Sequence, residues 1–186
     1  EMCIRDRSGA LRFLHCPPGL RDEETRLTAS ISPDYSDIDF ALYPRLSDTP
    51  NPMHRLWSDG AWLKAYLAHG CYWHRCSFCD VSLDYVGVYL PVGIPNLYQS
   101  LRAQALSRRV RGIHLVVEAA PPRALRDFAL GNLRAAREDP SGGLLSCWGN
   151  IRFEKTFTRD LADFLTFGGL SAVSGGIEIA SPSGFK

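Results

Sequence analysis

The chain has 186 residues, 45% of them hydrophobic and 22% charged, with a formal net charge of +1. That length supports one domain with a real core, and the composition is that of an ordinary globular protein. A balance so close to neutral gives no electrostatic footprint for nucleic acid, and no apolar run approaches the length of a membrane span.

Residues 1–60 are rich in Pro, Asp, Ser and Arg, and "CPPGLRDEE" and "SDTPNP" read as loops. They are expected to form an irregular lead-in or linker, and the opening "EMCIRDR" joins no pattern. The texture changes at residue 61. "WLKAYLA" (62–68) places Leu63, Ala65 and Leu67 on one face, as a strand does. "PNLYQSLRAQALSRRVRG" (95–112) reads as a helix with Pro95 at its start, Leu97, Leu101 and Ala105 as its apolar stripe, and Gly112 as its C-cap. The basic run "SRRVR" (107–111) suits that helix's C-terminus. "IHLVV" (113–117) reads as a buried strand. "PPRALRDFALGNLRAAR" (121–137) is an amphipathic helix with Leu125, Phe128, Ala129 and Leu133 on one side. "LLSCWGNIRF" (144–153) holds a third strand, "TRDLADFLTFGG" (158–169) a short helix capped by Thr158, and "LSAVSGGI" (170–177) a fourth strand.

The order is β-α-β-α-β-α-β, which implies an α/β fold with parallel strands and right-handed crossovers. A doubly wound sheet and a barrel of βα units both fit this order. A complete barrel needs more units than these.

Between the first strand and the first helix lies "GCYWHRCSFCD" (70–80), with Cys71, Cys76 and Cys79 within nine residues. Thiolates so close together call for a soft or borderline metal. A structural zinc site is one reading, with His69 or His74, or a distant Cys16 or Cys147, as fourth ligand. The chain has no second Cys-x2-Cys pair of the kind a zinc ribbon shows. The other reading is an iron–sulfur cluster. Such clusters normally take four thiolates, so three would leave one iron open to a substrate or cofactor. Either metal suits a reducing, cytoplasmic compartment. The remaining cysteines, Cys3, Cys16 and Cys147, are scattered and read as ordinary small residues.

"GCYWHRCSFCD" resembles the cluster loop of the radical S-adenosylmethionine (radical SAM) superfamily, in the branch often associated with cobalamin. Its Cys-x4-Cys-x2-Cys spacing is one residue longer than the superfamily's commonest form. The resemblance runs from about Trp62 to Ile179 and includes "GIHLVVEAAPP", "WGNIRFEKTFT" and "SGGIEIAS". It implies a [4Fe–4S] cluster on Cys71, Cys76 and Cys79, with S-adenosylmethionine on the fourth iron. It places Phe78 near the adenine, Glu118 near the methionine amino group and Glu178 near the ribose. Arg152 joins them as a cofactor-binding candidate at the end of the third strand. The Asp that often precedes the position of Glu118 is Val117 here.

The implied fold is a partial (β/α) barrel, about three and a half units, with residues 61–186 as the N-terminal part of the core. On this reading the chain is a piece of a longer enzyme and is inactive or poorly soluble alone, its fourth strand an open apolar edge. Cobalamin would belong to the longer protein. The implied partners are a one-electron reductant and a small-molecule or peptide substrate, with no nucleic acid and no membrane.

Independently of any family, each expected strand ends in a group able to do chemistry: Cys71, then Glu118, then Arg152 with Glu154, then Glu178. In βα folds ligands bind at the C-terminal ends of the strands. Singly, Arg152 and Glu154 read as solvated loop charges. Together with the cysteine loop they mark one rim.

Overall fold

The computed structural model of the chain describes residues 2–5, 11–14, 19–43, 62–117 and 119–176. An antiparallel pair, β1 (Met2–Arg5) and β2 (Leu11–Leu14), opens the chain, followed by helix α1 (Leu20–Ser30) and a 3-10 turn at Phe40–Leu42. The strands β3 (Trp62–Tyr66), β4 (Ala68–Gly70) and β5 (Tyr89–Pro91) come next, with helix α2 (Asp84–Gly87) between the last two. The rest alternates: α3 (Ile94–Ser107), β6 (Gly112–Val116), α4 (Pro122–Glu138), β7 (Ser146–Asn150), α5 (Arg159–Phe167) and β8 (Leu170–Ser174).

The centre is a parallel four-stranded sheet in the order β3-β6-β7-β8, so the fold is α/β as the alternation predicts. Spatial order follows chain order. Helix α3 packs on α4 and α4 on α5, which puts the three crossover helices on one face. A doubly wound sheet reverses its strand order and is covered on both faces. The covered face carries Leu63 and Ala65 of β3, Ile113 and Leu115 of β6 and Cys147 of β7, all buried. The opposite face carries Lys64, His114 and Trp148, neighbours across the ladders.

Period-two alternation is clear in β3, where Leu63 and Ala65 are buried and Lys64 and Tyr66 exposed. The helices meet the covered face with the stripes expected of them. Leu97, Leu101 and Ala105 of α3 are buried, as are Leu125, Phe128 and Ala129 of α4. Phe128 lies edge-on to Tyr98, ring centroids 5.1 Å apart, and trimming it to Ala would cost about 3–5 kcal/mol. Leu133 is only part-buried, and the neighbouring Asn132 is the fully buried residue instead.

Several boundaries differ from the sequence reading. Helix α3 ends at Ser107 and turns through Arg109, at φ +56°. Gly112 is therefore not its C-cap. It opens β6, where a Cβ would stand 2.5 Å from the Trp62 indole. The third strand is confined to Ser146–Asn150. Thr158 does cap α5, its hydroxyl accepting from the Leu161 N–H at 3.3 Å.

The lead-in is less irregular than its composition suggests. Helix α1 buries none of its residues, yet Ala29 O accepts from Gly93 N at 2.9 Å. Beyond it the chain is strapped to α3. Tyr35 N donates to Gln104 Oε1 at 2.7 Å, Gln104 Nε2 donates to Pro33 O at 2.7 Å, and Arg108 Nε donates to Tyr35 O at 3.0 Å. The Tyr35 hydroxyl then reaches edge strand β3, accepting from Lys64 N at 2.7 Å and donating to Lys64 O. These polar contacts have no sequence period, so pattern reading does not find them. Among the described residues no helix is long and apolar enough to cross a membrane.

Candidate functional site

The cysteine loop does not hang directly from the first strand of the sheet. The β3 ladder ends with Leu67 N donating to Val116 O at 3.2 Å, and Val92 N donates to Leu67 O at 2.9 Å. The chain then leaves the sheet as β4, which pairs antiparallel with β5, His69 opposite Leu90 and Gly70 opposite Tyr89. A two-stranded neck thus closes the loop of residues 71–88 at its base. The single strand expected over 62–68 is two strands, and Cys71 follows the second. Gly70 turns the chain into the loop at φ +80°, a conformation that favours glycine.

Local hydrogen bonds shape the loop. Cys79 N donates to Cys76 O at 3.2 Å, a turn that folds the last two cysteines toward each other. Asp80 Oδ1 accepts from Ser82 N at 3.0 Å and Ser82 Oγ at 2.6 Å, and these bonds hold the Asp80 carboxyl below its ordinary range. His74 Nδ1 lies 3.0 Å from Cys71 O. A carbonyl can only accept, so Nδ1 carries the proton in this bond and Nε2 is left as the ring's acceptor.

Cys71 and Cys76 are half-buried, Cys79 is exposed, and none of the three is in a disulfide. Burial pushes the Cys76 thiol up, and the neighbouring Cys79 and Cys71 push it further, while Arg152 pulls it down. A thiol whose ionisation is opposed by burial and by two neighbouring thiols belongs to a donor set that a soft cation would relieve. By its chemistry the set fits an iron–sulfur cluster or zinc. Its arrangement is open: among the described residues no three of His, Cys, Asp and Glu converge closely enough to hold a metal ion.

Cys147 is not a fourth ligand. It is 3% exposed, near the start of β7 on the helix-covered face, and burial pushes its thiol up to about 12. Cys16 and the side chain of Cys3 lie outside what the structure describes.

The second half of the site comes from the exit of β7. Arg152 stacks on the Trp73 ring with its guanidinium carbon 3.6 Å from the centroid, and Arg75 stands 5.7 Å from the same centroid. Arg152 Nη1 donates to Glu154 Oε2 at 2.5 Å, and the pair is largely shielded, with 30% and 13% of the two side chains exposed. The Tyr72 hydroxyl is buried beside this pair without a hydrogen bond of normal geometry. Burial and the Glu154 charge push its pKa up to about 12. Tyr72 also packs edge-on against Tyr89 of the neck, ring centroids 6.4 Å apart.

The structure therefore brings Cys71, Cys76 and Arg152 to one place, at the C-terminal rim of the parallel sheet. Phe78 is 65% exposed. Glu118 and Glu178 lie outside the described residues. His69 is a β4 residue, not a loop residue, and lines a cavity of about 450 Å³ with Tyr35, Lys64, Tyr66 and Val116. The sequence reading missed Trp73 and Tyr72 as the partners of Arg152. Their only signal was two aromatics beside the first cysteine. Comparison of the chain with protein-family models, curated proteins and solved structures finds no match.

Proposed function

We propose that the chain carries part of the core of a radical SAM enzyme, its four-stranded sheet forming an arc of a (β/α) barrel. The observation that carries this reading is a loop of three free thiols after β4, two of them flanking the Trp73 that meets Arg152 at the exit of β7. Strand order that follows chain order, with crossover helices on one face, supports the barrel over a doubly wound sheet.

On this reading Cys71, Cys76 and Cys79 hold a [4Fe–4S] cluster as thiolates and leave one iron for S-adenosylmethionine. Such a cluster would supply one-electron reduction of S-adenosylmethionine, the electron coming from an external one-electron reductant, for radical chemistry on a small-molecule or peptide substrate or for cobalamin-dependent methyl transfer. The protein's share is orientation and exclusion of water. Phe78 offers an aromatic face to the adenine, and Glu118 and Glu178 offer acceptors to the amino group and the ribose.

A second reading, zinc on the three thiols and one histidine, is favoured by one observation. His74 has its Nδ1 tied to Cys71 O, which leaves Nε2 available as a ligand. Anaerobic reconstitution with iron and sulfide separates the two. A broad visible absorbance with about four irons per chain, lost in Cys76→Ala, supports the radical SAM reading. A colourless protein that retains one tightly held zinc overturns it.

A further inference from the structure

We infer that Arg152 is the positioning residue of the cysteine loop: held by Glu154, its guanidinium clamps Trp73 and so sets where Cys71 and Cys76 stand. This deepens the metal-loop reading above but does not depend on which metal is bound. Three observations converge on it. The stack is close, 3.6 Å from guanidinium carbon to ring centroid, and Trp73 lies between the first two cysteines. The guanidinium is itself held, its Nη1 bonded to Glu154 Oε2 at 2.5 Å, so Arg152 is not a free charge waiting for a ligand. And the clamp joins the parts of the rim that the sheet leaves unconnected: β4 has left the sheet for its neck with β5, while β7 stays within it.

A guanidinium suits this task because it is planar, stacks on an indole face and binds a carboxylate at the same time. Lysine could keep the ion pair with Glu154 but not the flat stack. A clamp of this kind also predicts coupling. Once either partner is gone, removing the other changes little.

The test is hydrogen exchange of the metal-free protein in a double-mutant cycle of Arg152→Ala and Trp73→Leu. Each single variant should speed exchange of the 71–79 amides about tenfold, and the double variant no more than either single. Arg152→Lys should restore only part of the protection. The α4 segment, 122–138, should exchange as in wild type. Effects that multiply in the double variant, an unchanged loop, or a change that spreads into α4 would each overturn the inference. Zinc affinity, titrated in the same variants, should fall in parallel with loop protection; zinc affinity that holds while the loop loosens overturns the claim that the clamp sets the cysteines. If wild type binds neither zinc nor iron, the metal reading fails by itself and exchange still decides the clamp.

Discussion

His114 and Trp148 lie face to face on neighbouring parallel strands, ring centroids 3.7 Å apart and planes within 7°. They are register partners of β6 and β7, on the face that the crossover helices do not cover. Lys64 is the register partner of His114 on the other side. A protonated imidazole would gain from the indole face, but burial and the Lys64 charge oppose it more strongly, and the His114 pKa is lowered.

The sign of the resulting pH dependence follows. A lowered folded pKa means that the unfolded chain binds the proton more readily. The contribution is therefore fully present above the ordinary value of 6.5 and is lost as pH falls through the lowered folded value. His114→Phe keeps an aromatic stack and removes the titration. Thermal unfolding of both proteins from pH 8 to pH 5 should show wild type losing stability relative to His114→Phe below about pH 6.5. A constant gap between the two curves would count against this account.

Asn132 is a polar knot in the core. It is 0% exposed and uses its whole amide. Oδ1 accepts from Leu145 N at 3.0 Å and Tyr98 Oη at 3.1 Å, while Nδ2 donates to Leu145 O at 2.7 Å and Gly168 O at 2.8 Å. These bonds tie α4 to α3, to the turn before β7 and to the turn before β8. Asn132→Leu fills the volume but leaves those buried groups unpaired, at about 1–3 kcal/mol for each group that finds no water. Urea unfolding should show a lower midpoint with an unchanged slope, a loss of about 3 kcal/mol or more. Asn132→Asp keeps the acceptor, faces two carbonyls with a carboxylate and should be no better tolerated.

Tyr35 protects an edge. Strand β3 pairs only with β6 among the described strands, and the Tyr35 hydroxyl satisfies both backbone groups of Lys64 on the open side. Tyr35→Phe should cost about 1 kcal/mol and accelerate exchange of the Lys64 amide. It should also raise self-association on concentration, since an unblocked edge is a template for another strand. Light scattering against wild type checks the second effect.

What the sequence revealed, and what it hid, divides along a physical line. The crossover helices, the four parallel strands and the stripes of Leu97–Leu101–Ala105 and Leu125–Phe128–Ala129 were legible because burial of apolar faces imposes a period. Asn132 was passed over for Leu133 because a buried amide is stabilised by partners far along the chain, which no local window contains. The strap of Pro33, Tyr35, Gln104 and Arg108 is equally non-local and polar. Of the candidate site, the three thiols announced themselves by type and spacing. Arg152 was picked out by its place at a strand end, but its partner Trp73 was not. A cation over an indole joins two loops about eighty residues apart.

His74 decides between the two metals that the thiols could hold. Its Nδ1 is tied to Cys71 O at 3.0 Å, and the ring is exposed beside the loop. If zinc is the resident metal, Nε2 is the fourth ligand and His74→Ala removes it. Losing an outer-shell partner of a metal site costs about 10–100-fold in affinity, and losing a ligand costs more. Zinc affinity should then fall by at least about hundredfold, read by competition with a chromophoric chelator. If the thiols hold an iron–sulfur cluster whose open iron takes S-adenosylmethionine, His74 is not a ligand. Iron content and visible absorbance of reconstituted His74→Ala should match wild type, while Cys76→Ala loses both. A His74→Ala protein that loads iron normally yet has lost its zinc affinity would show that the loop binds both metals with different ligand sets. Resident iron in protein purified without reconstitution would then identify the native one.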